Sequence, residues 1–315
     1  CLFVLKTITE HHANGSVESM SVLLAMVFAI ASLGVLIYFI HHISVSIQAD
    51  QAIALVYNDI EAACRNRFSK NKERFARRKT LPANKQSRLR GKKRYPFCAR
   101  QSGYIHDIDL AALYSFACEV DGIVKMEHRP GDYVFSDMPL LEVYAKPGLE
   151  KSRIDALRMC FMIGRDRISE QDIEFAFHQL VEIAVRALSP GVNDPFTATA
   201  CIDRLSTAVV LFVDNVEEAP YIFDERGKLR LIEDVVSFRG VADLAFNQIR
   251  QAAPDNPAVL IRMLERFRDI FPRVRGGGQK AVLREHAAMI RNAAHRSIRE
   301  ERDRKDIDER YRRIE

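Results

Sequence analysis

The hydrophobic pattern changes character several times along the chain. From Ser21 to Ile40 (SVLLAMVFAIASLGVLIYFI) there is no charge and no polar stripe. At a helical rise of about 1.5 Å per residue, such a run covers roughly the 30 Å hydrocarbon core of a bilayer and reads as a membrane helix. A core helix would carry a polar stripe, and a signal peptide a shorter apolar core with a small-residue cleavage site. Cys1 to Leu5 (CLFVL) is apolar as well and reads as the tail of an earlier span, which leaves Lys6 to Met20 as a short exposed loop. Beyond the run, Ile43, Ile47, Ile53, Val56, Ile60 and Phe68 recur at roughly helical spacing and predict a stalk helix to about Phe68. Membrane segment and stalk together make residues 1–68.

Periodicity then fails. Residues 69–101 form a basic linker, with Lys70, Lys72, Arg74, Arg77, Arg78 and Lys79 in its first part. From 102 to 146 the pattern becomes that of a small β module. SGYIHDID predicts a strand, Asp109 caps a short helix over Leu110–Glu119, and GIVKMEHRPGDYVFSDMPLLEVY predicts a strand, a tight turn at Pro130-Gly131-Asp132 and two more strands. Residues 147–315 read as a mostly helical domain. Its helices are expected at Ile154–Met162, from a Ser169 cap with Asp172 at the third position through to Leu188, at Pro195 to about Val213, Val241–Gln251 and Pro257–Ile270, and, after the Gly276-Gly277-Gly278 break, from Lys280 to about Glu315. A hairpin about Arg226-Gly227 is expected within 223–232. The fold class is therefore a membrane α-helical N-terminus followed by an α+β region: a small barrel-sandwich-like β module, then a mostly α-helical domain.

Charge gives this organisation an orientation. The net charge is +5 over 315 residues, and apart from Lys6 the basic residues lie after the apolar run. The positive-inside rule then places everything C-terminal to it in the cytoplasm. Tyr38, His41 and His42 fall at the membrane end and read as interfacial anchors, His41 and His42 also being able to sense pH. The basic linker beside a cytoplasmic membrane end suits anionic lipid headgroups better than nucleic acid, and a solvated linker that only sets topology explains it too. The six cysteines show no C-x-x-C and no metal-like spacing, as expected of unpaired thiols in a reducing compartment. The chain opens on Cys1 rather than Met, so a processed or truncated N-terminus is expected.

Two places could carry chemistry. Glu170, Glu174, His178 and Glu182 share one helical face, a spacing that can hold a divalent metal or move protons; a polar outer face with Phe175, Leu180, Ile183 and Ala184 turned inward is the preferred reading. The second place is RALSPGVNDPFTATACIDRL, Arg186 to Leu205. Pro190 stops one helix, Gly191 is expected at positive φ past its end, and Asp194 and Pro195 start the next. Ser189, Asn193, Asp194, Thr197, Asp203 and Arg204 remain as candidate ligand-binding residues. Glu174, His178 and Asp194 form the candidate metal set, a cation or polar neutral ligand suiting the corner better than an anion.

The run VKMEHRPGDYVFSDMPLLEV is similar to the turn-rich half of biotinyl/lipoyl-like units, through Gly131, Asp132, Val134 and Pro139–Leu141, but lacks a glycine near Asp137. Lys125 is expected mid-strand rather than on a hairpin tip, so covalent biotin or lipoate is not expected; any other cofactor is unknown. YFIHHISVSIQ, SGYIHDID, RPGDYVFSDMPLLEV and above all the Leu-Ser-Pro-Gly-x-Asn-Asp-Pro core resemble, in order, the bacterial membrane-protein family called domain of unknown function 2254. The resemblance implies a multi-pass inner-membrane protein with a large soluble C-terminal region, and carries no catalytic residues, substrate or cofactor. The functional expectation is a transport, channel or sensory protein, homo-oligomeric in the channel case, with a cytoplasmic ligand- or subunit-binding domain. The alternatives are a membrane-tethered enzyme using the neighbourhood of Glu174, His178 and Asp194, and a structural scaffold.

Overall fold

The computed structural model describes residues 15–46, 49–74, 78–79, 91–168, 172–215, 219–274 and 276–314. Two compact units divide the chain between Ala52 and Ile53. The first is dominated by helix α1, Gly15–Ser46, which contains the apolar run and extends beyond it at both ends. Helix therefore begins at Gly15, inside the stretch expected to be a loop. Its described side chains, Leu23 to Phe39, are almost all exposed. Cys1–Leu5, the first part of the expected loop, and the side chains of His41 and His42 lie outside the described residues.

The second unit begins within helix α2, Ala49–Arg74. Ile53, Ile60, Ala63 and Cys64 of α2 are buried in the helical core rather than standing free as a stalk. Their spacing makes one apolar stripe, and a stripe facing water would forfeit roughly 1.5–3 kcal/mol for each large side chain.

Strands follow: β1 (Arg78–Lys79), β2 (Lys93–Cys98) and β3 (Gly103–Ile108). Next come α3 (Leu110–Glu119), β4 (Ile123–Met126), β5 (Tyr133–Val134) and β6 (Pro139–Ala145). Asp109 caps α3 by accepting from the backbone N–H groups of Ala111 and Ala112, both at 3.0 Å. The segment expected as one helix over Ile154–Met162 is instead a short helix α4 (Lys151–Asp155), a 3₁₀ turn (Ala156–Cys160) and strand β7 (Phe161–Gly164). Ile154, Leu157 and Cys160 keep a spacing of three, which suits a 3₁₀ turn packed on the β core.

Then come α5 (Ile173–Ala187), α6 (Pro195–Asn215), the hairpin strands β8 (Tyr221–Phe223) and β9 (Leu229–Ile232), α7 (Phe238–Ala252) and α8 (Pro257–Ile270). Helix α8 shows how closely sequence can dictate an element. Asn256 accepts from the Val259 N–H at 3.3 Å, Pro257 needs no donor in the first turn, and Val259, Leu260, Met263, Leu264, Phe267 and Ile270 are buried. The expected last helix is two: α9 (Gly277–Ser297), which takes in two glycines of the break, and α10 (Glu301–Arg312). Buried Ile298 turns the chain, Glu300 caps α10, and Arg310 reaches Glu265 of α8 at 3.3 Å.

The β module is wider than a self-contained barrel-sandwich unit over 102–146. One sheet runs β1-β8-β9-β4-β6-β2, so it takes strands from the basic linker and from the later hairpin, and β4 pairs β9 in parallel. The other is β5-β3-β7. The two large apolar clusters, helical and β, and a small third one of Ile123, Phe223, Leu229 and Ile232 all lie in this second unit. Helix α6 is long and apolar enough to cross a membrane by length and composition. Its apolar side, with Ala198, Cys201, Ile202, Leu205, Ala208, Val209 and Phe212, is instead buried in the helical core.

Candidate functional site

The turn Arg129-Pro130-Gly131-Asp132 leaves β4 and lands on the N-terminus of α5. Asp172, 3% exposed, caps that helix by accepting from the Phe175 N–H at 2.9 Å, and its other oxygen accepts from Arg167 Nε at 2.5 Å. Asp172 is thus the cap itself rather than the third position of a box begun by Ser169, which lies, with Glu170, outside the described residues. Gly131 is buried at φ +96, and a Cβ there would fall on the Asp172 carboxylate. Glycine is required twice over, by backbone and by contact.

Arg129 extends from this turn to Glu174 in the first turn of α5. Its Nε and one terminal nitrogen donate to the two Glu174 oxygens at 2.8 and 2.9 Å, while the other terminal nitrogen donates to Asp234 at 2.9 Å. Burial opposes the charge on Arg129, but Glu174 and Asp234 outweigh it and its pKa is raised. Beside it, Asp132 accepts from the Arg129 backbone N–H at 3.1 Å and lies 3.3 Å from His128 Nδ1. The cluster is a fork-to-fork clasp joining the β module to the helical core. A similar device holds the other side of the sheet. Arg230, 6% exposed on β9, pairs with Asp224 and Asp121 at 2.9 Å each and donates to the Gly122 carbonyl at 3.2 Å.

The Ser189–Thr197 corner is built from local bonds. The Ser189 hydroxyl donates to the Arg186 carbonyl at 2.7 Å, Asn193 N–H donates to the Ser189 carbonyl at 2.9 Å, and Asp194 N–H donates to the Ala187 carbonyl at 2.7 Å. Asn193, not Gly191, takes the left-handed conformation, at φ 48; asparagine tolerates it better than other non-glycine residues. One Asp194 oxygen accepts from the Phe196 and Thr197 N–H groups, and the other from the Thr197 hydroxyl at 2.5 Å. The Thr197 hydroxyl and the backbone N–H groups hold the Asp194 pKa below its ordinary value.

The remaining candidates go elsewhere. Asp203 pairs with Arg262 at 2.8 Å and lies 3.5 Å from Arg266, tying α6 to α8. Arg204 is exposed, with its guanidinium 5.3 Å from the centre of the Tyr57 ring. Tyr38 is 67% exposed on α1. Glu174 and Asp194 lie at opposite ends of α5, roughly 20 Å apart at the usual helical rise. The set Glu174, His178 and Asp194 is therefore not gathered, and among the described residues no group of three or more His, Cys, Asp or Glu could hold a metal ion. Leu180 and Ala184 of α5 are buried and Glu182 is exposed beside Arg186, as a polar outer face requires. Glu174 stood out in the sequence but Arg129 and Asp234 did not, because partners 45 and 105 positions apart leave no periodic signal.

A family model described as "Predicted membrane protein (DUF2254)" matches residues 1–269. Uncharacterized proteins of Mycobacterium tuberculosis and Mycobacterium bovis are 26% identical over 307 residues, covering 95% of this chain. The chain spans 57% of the length of these relatives. No solved structure matches it.

Proposed function

The chain belongs to the DUF2254 family of predicted membrane proteins, and from that premise we propose that it is a membrane-anchored binding component of a transport or sensory system. In this reading α1 crosses the inner membrane, the region from Ile53 onward is cytoplasmic, and that region binds a ligand or second subunit rather than catalysing a reaction. The basic residues that follow α2 in the sequence bind anionic headgroups in this reading. One observation carries the proposal: Leu23 to Phe39 of α1 presents an uncharged, apolar and almost wholly exposed helical surface. Water would not tolerate such a surface, and a bilayer requires it. The polar clusters of the second unit favour binding over catalysis, because Glu174, Asp194 and Asp203 are each held by separate structural partners.

Arginine near the middle of a span costs about 2.5–3.5 kcal/mol on insertion scales. The double substitution Leu33→Arg with Gly34→Arg is therefore expected to release the protein from the membrane fraction on alkaline carbonate extraction, while the unaltered chain stays. Retention of the double variant would contradict the anchor.

A further inference from the structure

The β5-β3-β7 sheet carries an exposed aromatic row on its outer face. Tyr104 pairs with Tyr133 on one side and Gly164 on the other, and a bulge later Asp107 pairs with Met162. This register puts Ile105, Ile108 and Val134 on the inner face, where all three are buried in the β core. It puts Tyr104, Asp107, Tyr133 and Met162 on the outer face, where the His106 ring also lies against Gly164, and Phe135 follows Tyr133 at the strand period of two. Tyr133 is 46% exposed, Phe135 63% and Met162 61%. The rings of Tyr104, Tyr133 and Phe135 touch edge to face in sequence, at 4.9 and 5.4 Å between centroids. An antiparallel sheet with one face in water should alternate apolar and polar. This one continues its aromatic row into solvent, and Met159, 89% exposed, lies beside it on the 3₁₀ turn before β7.

We propose that this outer face lies in the interfacial layer of an anionic bilayer. The proposal rests on the reading of α1 as a membrane anchor. Three observations favour lipid over a second copy of the chain or another protein. The exposed side chains offer on the order of 400 Å², about half of what each partner of a stable dimer buries. An anchored region needs no more, because the tether already holds it at the membrane surface. The chemistry also matches: phenol, phenyl and thioether groups suit the boundary between headgroup and acyl chain. At the margins stand Arg100, Arg158 and Arg165, exposed and in no ion pair with a described residue. Asp107 stands on the face itself and Asp137 and Asp166 at its margin, but a guanidinium on its long stem reaches beyond a short aspartate to a lipid phosphate.

The chain contains no tryptophan, which makes the test direct. Phe135→Trp and, as control, Phe196→Trp at the exposed corner are each introduced into the full chain. The two proteins are reconstituted in nanodiscs containing anionic lipid. Brominated lipid is expected to quench about half or more of the Phe135→Trp emission and far less of the control, with the difference falling when anionic lipid is replaced by zwitterionic. Quenching of Phe135→Trp by aqueous iodide but not by bromolipid would overturn the proposal. Shielding from both quenchers would assign the face to a protein partner and overturn it too, as would equal bromolipid quenching of both variants. Carbonate extraction of native membranes reads the anchor separately: loss of the unaltered protein there contradicts the span, whatever the tryptophans report.

Discussion

Replacing Gly131 with alanine tests whether the RPGD turn is locked onto the α5 cap. Two costs add at this position. At φ +96 a Cβ brings left-handed strain of roughly 1–2 kcal/mol. The same Cβ would fall on the Asp172 carboxylate, with even its farther oxygen only 2.8 Å away. Backbone flanks the carboxylate on the α5 side and Arg167 on the other, so it can move only by weakening the Phe175 cap or the Arg167 pair. Loss of a cap costs about 1 kcal/mol, and disturbing a buried ion pair costs more. Gly148 supplies the control, at φ +100 with nothing within 4 Å of the Cβ it would gain. Gly148→Ala therefore carries the backbone strain alone. We expect Gly131→Ala to lose about 3 kcal/mol and Gly148→Ala about 1 kcal/mol. For a region of this size the gap of about 2 kcal/mol corresponds to roughly 4–8 °C in Tm. Thermal unfolding of the detergent-solubilised chain, followed by circular dichroism, reads it. Equal destabilisation by the two substitutions would refute the reasoning, because the contact with Asp172 would then contribute nothing.

Three further expectations follow from the same geometry. Arg129→Met leaves Glu174 and Asp234 without their guanidinium and should cost about 2 kcal/mol, less than for a fully buried pair because Arg129 keeps some exposure; adding Glu174→Gln should recover part of the loss in a double-mutant cycle on the same unfolding assay. Asp194→Ala should cost about 1 kcal/mol as a lost cap, Asp194→Ser much less, and equal losses in the two melts would mean that Asp194 acts other than as a cap. Burial holds His286 below its ordinary 6.5, against the opposing pull of Asp243 and Glu285, while Arg250 adds to the lowering. Between these two values the unfolded chain binds more protons, so stability present above about pH 6.5 should fall as the pH drops toward the folded value; His286→Leu should flatten that slope in denaturant titrations at stepped pH.

Local chemistry was the part of the fold legible in the sequence. Asp109 before Leu110, Asn256-Pro257 and Asp194-Pro195 mark helix starts through bonds that span three residues, and each sits at such a start in the structure. Elements whose identity is settled by distant partners were not legible. Phe161–Gly164 is a strand because β3 lies beside it, and a helical pattern of apolar residues over Ile154–Met162 hides that. The parallel pairing of β4 with β9 joins residues more than a hundred positions apart and recruits the hairpin into the β module. At the candidate sites, Asp194 was legible as a cap and Glu174 as a notable carboxylate. The Arg129 that claims Glu174 was hidden inside a turn whose proline and glycine explained it too readily. Gly191 was the natural choice for positive φ, yet Asn193 takes it because the chain turns two residues later, where Asn193 and Val192 both donate to the Ser189 carbonyl.

In the proposed topology α1 crosses the membrane and the folded region lies on the cytoplasmic side. Protease added to right-side-out and to inverted inner-membrane vesicles, with the fate of a tag placed after Glu315 followed, tests this most directly. The tagged region is expected to survive in right-side-out vesicles and to be removed in inverted ones. Digestion in the right-side-out vesicles with protection in the inverted ones would contradict it.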